Sequence, residues 1–344
     1  MTSTNDVTRV RLSGREGLLA AVPAMLGFHP QESLVMICLT GPRHRVGPVI
    51  RLDLRPPAGR RGAGPAGDQD LRHYAAQYAD QVALVCYTSA RGRPSLLDRV
   101  ESVLRADDVD LLDVLVVRRG QVYPAGARAE HCAGVAVPGP DHPQVQLITA
   151  ASVLRGRAIL PDRAALRSSI AGPSGAAKQA AHAAMWRAAD RLVDVLGSSG
   201  PIDRPAVRRL RDRSVEDALR QAGSTGAVTP DTAAALALLM SDVGTRDHLA
   251  ARAVRDEDSV WLPMLVAVAR ATLDADAAEI CAVLALAAYA RGDGALSQVA
   301  LDRCLDAEPD HRLAALMIDA IAAGMPPAVL VAATEASLSP DTDE

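Results

Sequence analysis

Gly27-Phe28-His29-Pro30-Gln31-Glu32-Ser33-Leu34-Val35 carries the only phenylalanine of the 344-residue chain. It joins two kinds of pattern. Upstream, Ser13-Gly14-Arg15-Glu16 fits a capping box opening a helix that runs toward Leu26. Gly27 suits the left-handed position after a helix, Phe28 the apolar contact that follows, and Pro30 the stop beyond. Downstream, Leu34 to Leu39 (LVMICL) is an uninterrupted apolar run of strand length, as in a strand buried on both faces. A helix that stops and a buried strand that starts within seven residues predict an α/β layer.

The pattern extends both ways. Thr8 to Leu12 reads as a short strand, and Pro23 either kinks the first helix or restarts it. Val46 to Leu54 alternates, with Pro48 arguing for an edge strand. Pro56 to Asp68 is a Pro/Gly/Arg-rich loop, expected to be mobile. A helix near Gln69 to Tyr78, a strand at Val82 to Tyr87, a helix from Pro94 to Arg105, a strand at Leu112 to Arg118 and a return strand at Gln121 to Tyr123 follow. Strands alternating with helices imply right-handed crossovers and a mixed, mostly parallel sheet with antiparallel pieces at its edge. Past the small-residue hinge Ile170 to Gly175 the strand signals stop. Helical runs follow at Ala177 to Leu196, Pro205 to Gln221, Pro230 to Val243, Asp247 to Val254, Val260 to Thr272, Ala275 to Arg291, Ala295 to Asp306 and His311 to Ala323. The expectation is an α/β domain over 1–170 and an all-α domain over 171–344 with a short disordered tail.

Composition narrows the function classes. The 37 basic and 41 acidic residues leave a net charge of −4, which exerts no overall pull on nucleic acid. Arginine supplies nearly all the positive charge, Lys178 being the only lysine, and the arginines are spread along the chain. Schiff-base chemistry and lysine phosphate clamps have little to work with. The five cysteines form no C-x-x-C pair and the histidines no i, i+3 or i, i+4 pair, so no metal site or other cofactor is expected. The polar Met1 to Val10 has no signal-peptide core, and no segment reaches ~18 apolar residues. These features predict a cytoplasmic protein without a membrane partner.

Candidate sites are few. Gly62-Ala63-Gly64-Pro65-Ala66-Gly67 matches G-x-G-x-x-G, but seven residues separate it from the preceding strand and Pro65 interrupts it, so it reads as linker. At the opening junction, His29 supplies an imidazole, the side-chain type whose charge ordinarily changes near neutrality, and Ser33 is a neighbouring hydroxyl. Phe28, His29 and Ser33 are the candidate binding rim, although helix-stop geometry explains most of the same residues. Asp53 and Asp113 are isolated strand acids. In the helical half Arg246-Asp247 and Arg255-Asp256-Glu257-Asp258 are charged clusters, and Trp261 and Tyr289 are either core anchors or exposed binding aromatics.

Leu18-Leu19-Ala20-Ala21-Val22-Pro23, Leu26-Gly27-Phe28-His29-Pro30 and Ser33-Leu34-Val35 resemble the opening of the actinobacterial domain of unknown function 4192 family. Trp261-Leu262-Pro263, Leu286 to Ala295, Ala300-Leu301-Asp302-Arg303 and Pro309 to Ala314 resemble its carboxy-terminal half. The Cys- and Pro-rich patch frequent in such proteins is reduced here to Cys132, in His131-Cys132-Ala133-Gly134. The resemblance implies an architecture and no reaction. Leu284 to Tyr289, the turn Gly292-Asp293, Leu301 to Leu305 and Pro309 also resemble one tetratricopeptide unit. Together these readings favour a non-catalytic interaction or regulatory module with a protein partner. The alternative is a small-molecule-binding or hydrolytic domain using the Gly27–Ser33 rim.

Overall fold

The structure is a computed structural model that describes residues 10–55, 68–125, 133–154, 156–196, 204–255 and 259–336. The Pro/Gly loop with its G-x-G-x-x-G match, His131 and Cys132, Asp256 to Asp258 and residues 337–344 lie outside the described residues, save Asp68 of the loop, which opens a helix. By its packing the chain divides into two compact units, 1–163 with 322–324, and 164–321 with 325–344.

The first unit is built on a six-stranded sheet in the order β2-β1-β3-β4-β5-β6. Its strands are β1 (Ser33–Thr40), β2 (Arg45–Asp53), β3 (Gln81–Tyr87), β4 (Asp110–Arg118), β5 (Gln121–Pro124) and β6 (Val135–Ala136). The sheet is mixed, but only β3 and β4 pair in parallel, which corrects the expectation of a mostly parallel sheet. The crossovers do exist. Helix α2 (Asp68–Tyr78) carries β2 to β3, and α3 (Ser95–Ala106) carries β3 to β4. However, the tight turn Gly41 to His44 folds β1 back on β2, and β1 then lies between β2 and β3, antiparallel to both. One inserted hairpin strand thus separates two strands that run the same way. Pro48 sits on the edge strand β2, where a missing N–H is tolerated. Opposite it the β1–β2 register shifts between Ile37 and Leu39.

Period-2 alternation divides β1 between two layers. Leu34, Met36 and Cys38 face a core with Leu84 and Cys86 of β3, Leu71 and Ala75 of α2, and Leu97, Val100 and Leu104 of α3. Each fully buried Leu or Met there contributes about 1.5–3 kcal/mol relative to exposure. Helices α1 (Gly14–Leu26) and α4 (Pro143–Leu154) form the other layer. They approach closely because Gly17 has no side chain where Gln144 passes, and Ala20 and Ala21 meet Ile148.

Several expectations about α1 change. Val10 to Leu12 form no strand. Ser13 is the N-cap, but its side chain makes no capping bond; Glu16 instead lies 3.4 Å from His142. The helix runs through Pro23 unbroken and ends at Gly27, whose φ of 76° is the left-handed stop read from the sequence. Helix α4 has no counterpart in the sequence reading. Its β-branched Val145, Ile148, Thr149 and Val153 carry no clear helical stripe.

The second unit is helical in its described residues. Its helices include α6 (Gly175–Leu196), α7 (Arg204–Thr225), α8 (Pro230–Met240), α9 (Val243–Arg255), α10 (Trp261–Ala271), α11 (Ala278–Ala290), α12 (Gly294–Ala307), α13 (Arg312–Ala322) and α14 (Pro327–Ala336), after the short α5 (Arg163–Ser168). Thr229 caps α8 by accepting from the Thr232 N–H, with Pro230 in the first turn. Helix α11 is buried from Ala278 through Ala288 except Glu279, as expected of a central helix that is apolar all round. The turn at Gly292 (φ 70°) and the Asp293 cap return the chain into α12.

Within the Ile170 to Gly175 segment, Ile170 and Gly172 pack against Arg303. The buried guanidinium of Arg303 donates to the carbonyl oxygens of Ile170, Ala269 (2.7 Å) and Thr272 (2.9 Å) and to Asp274 Oδ1 (2.9 Å). Gly172 lies so close to this cluster that a Cβ there would sit 2.8 Å from Arg303 Nη2.

Candidate functional site

The Gly27–Ser33 junction sits where β1 begins. Phe28 forms an isolated bridge with Leu160, and the His29 N–H donates to the Leu160 carbonyl at 3.0 Å. Phe28 is 1% exposed, with the Arg51 guanidinium 5.7 Å from its ring centroid. Ser33 is fully buried, and its Oγ has no hydrogen-bond partner. Of the three rim residues only His29 is presented to solvent. Phe28 and Ser33 offer no accessible binding surface, because the bridge and the first sheet register close over them.

The strand acids have separate roles. Asp53 lies across from Ser33 in the β1–β2 register and is held by Arg51 (2.6 Å) and Arg163 (3.3 Å). Glu32 has a positive φ of 41° and accepts from the Ser89 N–H at 2.5 Å. Hydrogen bonding from Ser89 is the main cause that holds its carboxyl below the usual range. No base touches the Ser33 hydroxyl, so the junction lacks a nucleophile–base pair.

At the other end of the sheet a cleft of about 1410 Å³ opens between the α1/α4 layer and the β1–β2 turn. Leu18 and Ala21 of α1, Ile148 and Ala151 of α4, and Leu39 at the end of β1 form its apolar lining. Its polar lining is mainly basic, Arg11, Arg15, Arg43, His44, Arg45 and Arg157, against one carboxylate among the described residues, Asp113. Asp113 is engaged, because Arg15 Nε donates to it at 2.5 Å and Nη2 at 3.1 Å. Arg11, Arg43 and Arg45 are exposed and have no carboxylate partner among the described residues. The sequence offered Asp113 as an isolated strand acid; it neutralises Arg15 and leaves Arg11, Arg43 and Arg45 as surplus positive charge among the described residues.

The basic group was missed because it is assembled by folding. Pro42-Arg43-His44-Arg45 is a short cationic run in the hairpin turn, which was the one local signal available. Arg11 and Arg15 arrive from the start of α1, and Arg157 from beyond α4.

In the helical unit Trp261 is 5% exposed, with the Arg252 guanidinium 5.1 Å from its ring. Tyr289 is half-buried and its hydroxyl donates to the Met325 carbonyl at 2.6 Å. Both aromatics anchor packing. Trp186, absent from the sequence candidates, is 73% exposed on α6, with Val193 two turns on also exposed. Arg246 does not form an open recognition surface: its guanidinium bridges Asp247 (2.8 Å) and Glu279 (3.5 Å). Buried His311 extends this group, its Nε2 lying 3.1 Å from Glu279 and its Nδ1 accepting the Ala314 N–H. Burial pushes the Glu279 carboxyl up, but the close approach of His311 and the charge of Arg246 outweigh it and hold the group below its usual range.

The described cysteines Cys38, Cys86, Cys281 and Cys304 are buried free thiols. Burial raises all four, Cys38 and Cys281 to about 11 and Cys86 to about 12, so they behave as small apolar side chains. Among the described residues no cluster of His, Cys, Asp or Glu could hold a metal ion, and no helix is long and apolar enough to cross a membrane.

No curated protein and no solved structure matches the chain. The family model "Domain of unknown function (DUF4192)" matches residues 16–328, most of the chain, and the chain belongs to that family.

Proposed function

We propose that this protein is a non-catalytic regulatory module whose first unit binds an anionic small molecule in the α1/α4 cleft. The observation that carries the reading is the surplus charge: Arg11, Arg43 and Arg45 line one concavity whose only carboxylate among the described residues is already paired with Arg15. A concave site with apolar walls and a few convergent charged groups is the usual form of a ligand pocket. Guanidinium groups there offer forked donors matched to carboxylate or phosphate oxygens.

Catalysis is not part of the proposal. Among the described residues the cleft's only hydroxyl, on Ser152, donates to its own helix at the Ile148 carbonyl, and no carboxylate pairs with His44. The helical unit is proposed to serve the protein partner through tetratricopeptide-like hairpins such as α11–α12. Trp186 and Val193 on α6 support this reading, since a large aromatic left in water is a typical interface anchor. An actinobacterial lineage and a cytoplasmic location belong to the same proposal.

The test is titration calorimetry of the full chain at low salt with tripolyphosphate and with dodecanoate, wild type against Arg43→Ser/Arg45→Ser. Both residues are exposed, so the variant should retain the wild-type circular dichroism. At least a tenfold loss of affinity for whichever anion binds is expected. Equal affinity in the two proteins, or no binding of either anion to the wild type, would overturn the proposal.

A further inference from the structure

The cleft holds more apolar surface than a bare anion needs. Val46 (39% exposed) and Leu112 (47% exposed) are among the few large hydrophobic side chains the first unit leaves in water. Both line the concavity that contains Arg43 and Arg45. Val46 lies one residue beyond Arg45, at the start of β2, and Leu112 lies next to Asp113 in β4. Greasy and cationic groups therefore share one opening, and the apolar lining continues along α1 and α4.

Length and chemistry restrict the occupant further. The lining follows α1 from Gly14 to Met25, a path of roughly 16 Å at ~1.5 Å per residue. A phosphate or sulfate ion would fill a small fraction of about 1410 Å³. A nucleotide would match the charge, but its base is normally held by stacking, and no Phe, Tyr or Trp lines the cleft. The walls are Leu, Val, Ile, Met and Ala, which suit an aliphatic chain.

On the reading of the cleft as an anion site, we propose that its ligand is a single-chain anionic amphiphile: an acidic headgroup on an unbranched aliphatic tail. The headgroup pairs with Arg43, Arg45 and Arg11. The tail covers Val46 and Leu112 and runs along the apolar lining that α1 and α4 supply. Carboxylate and phosphate monoester heads share this chemistry.

The experiment is calorimetric titration of the full chain with hexanoate, octanoate, decanoate and dodecanoate, each below its micelle-forming concentration. Matching alkyl phosphates, tripolyphosphate and phosphatidylglycerol vesicles complete the panel. Affinity should rise about two- to fourfold per added methylene, the increment expected when tail surface leaves water. Comparing the two head series identifies the preferred acid. Val46→Thr/Leu112→Ser should flatten the chain-length dependence without changing tripolyphosphate binding. Arg43→Ser/Arg45→Ser should weaken every ligand. Tripolyphosphate binding as tightly as dodecanoate would sink the amphiphile and leave the anion site standing. Absence of binding by every free anion would sink both. Binding to vesicles without binding of monomers would also overturn the proposal, placing the apolar patch on a membrane surface instead.

Discussion

Truncating Arg303 tests the clearest polar lock in the molecule. Its five N–H donors meet five acceptor contacts: Nε and Nη2 on Asp274 Oδ1, Nη2 on the Thr272 carbonyl, and Nη1 on the Ile170 and Ala269 carbonyls. The side chain is 10% exposed, whereas that of Asp274 is 79% exposed. The ion pair is therefore largely solvated and worth no more than ~1 kcal/mol. The three carbonyl bonds decide the outcome. Each is worth about 1–1.5 kcal/mol net, and its acceptor is left short of a partner when the guanidinium goes. Arg303→Ala should therefore cost about 3–4 kcal/mol, within the range for breaking a buried charged network. Arg303→Lys keeps the charge but supplies three donors from one point, so it should cost about 1.5–3 kcal/mol. Urea denaturation followed by circular dichroism and tryptophan fluorescence measures both, with limited proteolysis at residues 170–175 as a local probe. A loss below ~1 kcal/mol for Arg303→Ala, with unchanged proteolysis, would mean that water replaces the guanidinium and that the segment is not pinned.

Three other perturbations examine separate parts of the reasoning. Ser33→Ala removes a buried hydroxyl that has no partner, so urea titration should show a change between zero and ~1 kcal/mol of stabilisation; a marked loss would reveal an unseen hydrogen bond. Gly27→Ala forces a side chain onto a φ of 76° and should cost about 1–2 kcal/mol by thermal unfolding, with no steric part because the site is open. Glu279 titrates lower in the folded chain than in the unfolded one. Its stabilising contribution is fully present above the unfolded value near 4.5 and is lost as pH falls through the folded value. Glu279→Gln should be less stable than wild type at pH 7, and the two melting temperatures should converge as acid protonates Glu279. A gap independent of pH would contradict the assigned role of the carboxylate.

Local chemistry made several elements readable. Gly27 stops α1 because a residue without Cβ enters the left-handed region cheaply. Thr229-Pro230 starts α8, and Pro48 marks the edge strand. LVMICL read as a strand buried on both faces, and β1 is one. The errors have physical causes too. Helix α4 escaped detection because its β-branched residues blur the helical stripe, and its packing against Gly17, Ala20 and Ala21 overrides that weak local preference. Strand–helix alternation implies a mostly parallel sheet, but it does not show that the hairpin strand β1 lies between β2 and β3. The pairing of β1 between β2 and β3 is a long-range event to which no local pattern corresponds.

The sites divide in the same way. The conspicuous Phe28-His29 junction was visible in one line of sequence because capping and strand entry are local. Its role in closing the end of the sheet, with Phe28 and Ser33 buried, depended on Leu160, more than a hundred residues away. The arginine-lined cleft had the opposite history. Arg11, Arg15, Arg43, Arg45 and Arg157 are dispersed in a chain whose net charge is slightly negative, so composition gave no hint of a basic site. By itself the amino-acid order determined where helices stop, which strand is buried and that the second half is helical, since those follow from backbone preference and short-range periodicity. Only the tertiary structure decided which charges share a cavity, because that depends on strand order and on two helices meeting over one end of a sheet.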